Sequence, residues 1–177
     1  MFTTAITKTE YFELRSRYTP KHPKTIFVLE SPPASGKYFY NPTGTVREPL
    51  FKALMDDVLE VAAQTKEEGL KTFASEGFLV VDATYTPVND LDDDEADAII
   101  LRDFPLLLED LRAHAGPDTA LVLIKANVCE LLEPKLKKED FKVLNNGERI
   151  PFPSTGQQTK FRTAIRKVLG LSPDPTR

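Results

Sequence analysis

The stretch Thr25-Ile-Phe-Val-Leu-Glu-Ser-Pro-Pro-Ala-Ser-Gly-Lys-Tyr-Phe-Tyr-Asn-Pro-Thr-Gly44 decides the fold. Its unbroken apolar run, Ile26 to Leu29, reads as a strand buried on both faces. The chain then passes straight into a loop holding an acid, Glu30, two prolines and three consecutive aromatics, Tyr38, Phe39 and Tyr40. Open α/β folds build ligand crevices at the carboxyl ends of their strands. Prolines stiffen such a loop by fixing φ, so the segment reads as a strand plus a site.

Working outward, residues 77–85 and 119–124 repeat the pattern of a nearly continuous apolar run ending in polar residues. Between the runs, apolar residues recur at spacings of three and four, which predicts helices over 8–18, 47–63, 66–75, 96–115 and 157–169. A further helix over 126–132 is expected to stop at Pro134. Residues 141–150 read as strand, turn, strand around Asn146-Gly147. Strands alternating with helices imply an α/β three-layer sandwich. Its sheet is small, mainly parallel and about four-stranded, and the whole chain, 1–177, forms one domain with its core at about 24–169.

Composition narrows the function. A chain of 177 residues, 41% hydrophobic and 28% charged, is ordinary for a globular domain. A net charge of −4 argues against an extended, non-specific nucleic-acid binder, though a local basic patch is compatible with it. The single cysteine, Cys129, allows no internal disulfide and reads as a packed apolar residue. The N-terminal Met1-Phe-Thr-Thr-Ala-Ile-Thr-Lys lacks the apolar run of a signal peptide. No apolar stretch is long enough to cross a bilayer. A cytoplasmic monomer without a membrane partner, cofactor or metal is expected. The tail 172–177 is expected to fray.

Three strand-end loops should converge: 30–44, 82–89 and 151–158. In the first, Glu30 could activate a water as a general base or cap its own loop. Ser31, Pro32 and Asn41 accompany it. Phe39 offers a flat face for stacking a ring, worth about 1–3 kcal/mol for a nucleobase, whereas Tyr38 and Tyr40 read slightly more as anchors to the core. Asp82 could position substrate or water, or cap its loop. Ser154 and Thr155 precede a helix whose amides and dipole suit an anion, with Gln157 and Lys160 beside them. An ordinary N-cap with solvated lysines is the plainer alternative. The acidic run Asp92 to Glu95 reads as a solvated helix start.

With these loops in order, the chain resembles the uracil-DNA glycosylase superfamily over about residues 24–169. Leu29-Glu30-Ser31-Pro32-Pro33 is similar to the first motif of the branch with a Gly-Glu-Ala-Pro-Gly loop, and Gly36, Phe39 and Gly44 to its Pro-Phe-x-Gly-x-x-Gly segment. Val81-Asp82-Ala83 resembles the strand end where an asparagine commonly reads the base edge. Phe152-Pro153-Ser154 resembles a His-Pro-Ser motif. The resemblance implies that Glu30 orients the attacking water and Phe39 stacks on an extruded base. It also implies that Ser154 holds the phosphate backbone, and that DNA or a nucleotide is the partner. Three departures stand out: Phe152 cannot donate a hydrogen bond to a leaving base, Asp82 replaces an amide, and the cysteines of iron–sulfur members are missing. Two readings follow: hydrolysis of the N-glycosidic bond of a non-standard or damaged base in DNA, or a non-catalytic module binding a nucleotide, nucleic acid or protein. A hydrolase of small nucleotides or nucleosides is a third.

Overall fold

The computed structural model describes residues 6–174. Three apolar runs form the centre of the sheet: β1 (Thr25–Leu29), β2 (Phe78–Asp82) and β3 (Ala120–Leu123), each buried at every position. A two-residue strand, β4 (Lys142–Val143), pairs with Ala120 and Leu121 at one edge. All pairings are parallel, in the order β2-β1-β3-β4. Leu29 lies opposite Asp82, and Val28 lies between Val81 and Leu123. The connection leaving β1 therefore runs to one side, to β2, and the one leaving β3 to the other, to β4, which makes the gap between the carboxyl ends of β1 and β3 the topological switch point.

Seven α-helices among the described residues cover the sheet. The helices α2 (Pro49–Leu54), α3 (Lys66–Ser75) and α7 (Gln158–Val168) pack together, while α4 (Asp93–Arg102), α5 (Phe104–His114) and α6 (Ala126–Lys138) form the second group. This is the three-layer α/β/α sandwich that the alternation of runs implies. The N-terminal α1 (Lys8–Ser16) opens with a capping box between Thr7 and Glu10 and buries Tyr11 and Arg15. The N-terminal residues 1–5, on which the leader argument rests, lie outside the described residues. No helix among those described is long and apolar enough to cross a membrane.

Local chemistry shifts several boundaries. The helix expected over 47–63 starts at Pro49 but widens into a π turn, Met55–Leu59, and ends where Glu60 turns left-handed at φ 56°. The 96–115 helix is two helices meeting at Asp103, with Pro105 in the first turn of the second, a position where its missing N–H costs nothing. Conversely, Pro134 does not stop α6, which continues to Lys138. The 141–150 segment keeps its tight turn, with positive φ at Asn146 and Gly147, but it is no hairpin. Instead the buried Asn145 side chain accepts from Leu123 N and donates to the Leu123 and Glu148 carbonyls, which holds the segment against the end of β3.

The tail is also tied down as far as Asp174. Arg166, fully buried on α7, donates to the carbonyls of Asp57, Ser172 and Asp174. Beside it, Arg162 Nε is 2.9 Å from Asp57 Oδ1. The π turn strands a carbonyl at Asp57 that no helical N–H satisfies, and Arg166 fills that need from another helix. Replacing Arg166 by Met should therefore lower the unfolding free energy by about 3–5 kcal/mol in urea titration and open residues 172–174 to proteolysis. A loss under about 1 kcal/mol would show that these bonds are ornamental.

Candidate active site at the strand ends

The end of β1 delivers Glu30 to the switch point, where it is only 6% exposed. Its Oε1 accepts from Lys125 Nζ at 2.5 Å and its Oε2 from Asn127 Nδ2 at 2.7 Å. The same amide of Asn127 donates to Asp97 Oδ1 at 3.0 Å, and this double donation fixes the orientation of the side chain. Lys125 is the second residue after β3 and holds φ 89°, ψ 135°, a region that side chains rarely adopt. Its N–H donates to the Ile150 carbonyl at 2.7 Å, which helps to hold that conformation while the ammonium reaches across the switch point.

Glu30 and Lys125 form one wall of a cavity of about 480 Å³, a volume usual for small-ligand sites. The opposite walls are apolar: Pro32 and Pro33, Tyr38 and Phe39, Leu50 and Phe51, and Phe152. Phe39 packs edge-on against Tyr40 and Phe73, with ring centroids 4.8 and 5.4 Å apart, and lines the cavity from that support. Ser31 and Ser154 also line it, and the Ser31 hydroxyl accepts from Val88 N, which ties the first loop to the second. The first loop is braced from below by Lys66. Its buried ammonium donates to the Tyr38 carbonyl at 2.8 Å and to Glu48 at 3.0 Å, and burial lowers its pKa.

Asp82 closes the cavity from the end of β2. It is 5% exposed, and its carboxyl accepts no hydrogen bond from any described residue, while its own N–H approaches Tyr85 Oη at 3.3 Å. Burial pushes its pKa up to about 8. The guanidinium of Arg15 pulls the other way, and the carboxylates of Asp110 and Glu30 add to the rise. Arg15 is itself spent on a two-pronged pair with Asp110, 2.8 Å for each bond. A carboxyl with these surroundings is mainly neutral at pH 7 and can donate as well as accept.

The predicted residues thus divide. Glu30, Ser31, Pro32, Phe39, Asp82, Phe152 and Ser154 share the cavity. Tyr40 does not line it: its ring is fully buried and its hydroxyl accepts from Val80 N at 2.8 Å, an anchor to β2. Asn41 is used locally, accepting from Thr43 N and Oγ1. Gln157 and Lys160 line a separate concavity with Arg149 and Glu148. Thr155 is exposed and lines neither, and the N-cap of α7 is Gln157, without a side-chain cap. The acidic run is a helix start, with Asp92 accepting from Glu95 N. No cluster that could hold a metal ion occurs among the described residues. Cys129 is buried, its thiol on the Leu123 carbonyl.

Sequence reasoning missed Lys125 and Asn127. Lys125 stands directly after an apolar run, as Glu30 does, so the same strand-end argument applied to the third strand would have found it. Nothing local marks Asn127. No protein-family model matches the chain, and no curated protein matches it either.

The buried carboxyl carries a stability signature. The folded chain holds the Asp82 proton with a pKa of about 8, against an ordinary value of 3.8, so the native state binds more protons than the unfolded chain between these limits. Stability must then fall as pH rises through that window. Asp82→Asn removes the penalty: it should be more stable than the parent by a few kcal/mol at pH 8 in urea titration, with the gain shrinking towards pH 4. A gain independent of pH would assign the effect to packing alone.

Proposed function

We propose that the cavity is a recognition pocket for a nucleobase-like ring, and that the protein is a divergent uracil-DNA glycosylase-like enzyme hydrolysing the N-glycosidic bond of a non-standard or damaged base. The observation that carries this reading is the meeting, in one cavity, of an oriented carboxylate, Glu30, an aromatic wall around Phe39, and a largely neutral acid, Asp82. In this reading a nucleotide is extruded into the pocket at a cost of a few kcal/mol. The ring slides against Phe39. Glu30 keeps free lone pairs beyond those given to Lys125 and Asn127, and one of them orients a water towards the sugar carbon. That water attacks the carbon as the carbon–nitrogen bond breaks, and its proton passes to Glu30. The base departs with the bonding pair. The ammonium of Lys125 supplies positive charge beside the developing negative charge.

A second reading has its own observation. Both oxygens of Glu30 are engaged, one of them by a lysine at 2.5 Å, and Phe152 supplies no donor where a leaving base would need one. These features favour a pocket that binds without cutting.

The readings separate in one assay. Duplexes carrying uracil, hypoxanthine or an alkylated base are incubated with the protein and then treated with alkali. Hydrolysis predicts strand scission that falls at least a hundredfold on Glu30→Gln. Base-dependent binding lost on Phe39→Ala, with no scission, selects the second reading. Neither scission nor base-dependent binding contradicts both.

A further inference from the structure

An activated nucleophile has a recognisable arrangement: the attacking group touches a base, and a third group holds the base in place. Lys125, Glu30 and Asn127 fit that arrangement in order. Lys125 Nζ lies 2.5 Å from Glu30 Oε1, Asn127 Nδ2 holds Glu30 Oε2 at 2.7 Å, and Asp97 fixes Asn127 in turn. The acid is buried. The lysine side chain is 39% exposed and lines the cavity, so a ligand can reach the amine.

A second observation is independent of those bonds. Lys125 is held at φ 89°, ψ 135°, where a glycine would be strained far less. Residues kept in such conformations collect at functional sites, so the lysine side chain has a use at this spot. A partly exposed ion pair does not account for it, because such pairs add little stability. Lys37, the other lysine on the cavity, has no carboxylate within hydrogen-bond reach among the described residues. One amine is thus singled out.

We propose that Lys125 is a nucleophile that condenses with the aldehyde carbon of a ring-opened sugar, with Glu30 moving the protons. The inference extends the reading above: a sugar that has lost its base carries a hydroxyl on the carbon that Glu30 faces, and it opens to an aldehyde there. When the ligand displaces water, passing a proton from Nζ to Glu30 turns two desolvated charges into two neutral groups. The nitrogen lone pair then bonds to the aldehyde carbon, and a proton moves from the nitrogen to the oxygen. That hydroxyl leaves as water with the proton held by Glu30, and the nitrogen closes a double bond to carbon. The iminium carries the positive charge that the ammonium brought. It draws electrons from the next carbon, from which Glu30, again a carboxylate, takes a proton. A phosphate ester one carbon further on leaves with its bonding pair. The strand is cut beside the sugar, and water adds to the iminium carbon to release an unsaturated aldehyde and Lys125.

The test uses the full chain and a duplex with one preformed base-free deoxyribose, so that base release is not required. Cyanoborohydride should trap a covalent complex, and peptide mapping should place the reduced sugar on Lys125. Without reductant or alkali, the strand should be cut on the 3′ side of that sugar. Lys125→Arg keeps the charge opposite Glu30 but forms no imine. It should lose trapping and cutting while its circular dichroism and melting temperature stay those of the parent. Glu30→Gln keeps the amine and should slow trapping about a hundredfold at pH 7. Raising the pH to 9 should narrow that loss, because solvent then takes the proton that Glu30 no longer can. 2-Deoxyribose 5-phosphate is the second probe. Preference for the duplex supports a sugar presented on a strand; trapping of the free sugar alone supports the nucleophile and overturns the strand cutting. An adduct on Lys37 or another amine, an adduct that survives Lys125→Arg, or none with either probe overturns the inference. Base release that persists in that case leaves the glycosylase reading standing. Trapping at Lys125 with no base release from any duplex overturns that reading and supports this one.

Discussion

The contact on which the site depends is the ion pair between Glu30 and Lys125. It joins the residues that follow β1 and β3, the two strands that flank the switch point. Parallel strands cannot be joined there by a short turn, so their ends would otherwise splay over an open crevice. Glu30 sits in a buried position and Lys125 in a left-handed one, and each is held by the other and by a third group: Asn127 for the acid, the Ile150 carbonyl for the lysine backbone. The acid is buried but the lysine side chain is 39% exposed, and such a pair contributes little net stability because desolvation of the acid and solvent screening offset the attraction. Their value is positional. The pair sets one wall of the cavity that the aromatic residues and Asp82 also line.

The same economy runs through the rest of the molecule. Polar and charged side chains that enter the interior carry bonds that backbone geometry leaves unmet. Arg166 serves the carbonyl freed by the π turn, Lys66 serves the carbonyl of Tyr38, and Asn145 serves both backbone groups at Leu123. Among the described residues the unserved buried side-chain atoms are few, the Tyr38 hydroxyl and the Asn127 side-chain carbonyl, and the Asp82 carboxyl accepts no bond from them either. Tyr38 and Asp82 line the cavity.

The sheet was legible because its strands are continuous apolar runs, a pattern that needs no partner to be read. Glu30, Phe39 and Asp82 were legible because the carboxyl ends of such runs are where crevices form. Where the reading failed, the deciding contact was distant in sequence. Lys142 and Val143 read as half a hairpin but pair with β3, because Asn145 is captured by Leu123. The tail from Ser172 reads as loose, yet Arg166 holds it as far as Asp174, and 175–177 lie outside the described residues. Gln157 and Lys160 follow Ser154 closely in sequence, and the turn into α7 carries them to a different face. Tyr38 and Tyr40 look equivalent in sequence. Their hydroxyls nonetheless differ: that of Tyr40 finds Val80 N, and that of Tyr38 finds no partner among the described residues.

The central claim is the proposal that this cavity receives a flat heterocycle against Phe39, with Glu30 and Asp82 beside it. A crystal structure of the protein soaked with adenine at pH 6.5 tests it most directly. The account predicts density for one ring in the cavity, in contact with Phe39 and beside Glu30 and Asp82. Adenine seated elsewhere on the protein, with the cavity filled only by solvent, would contradict it.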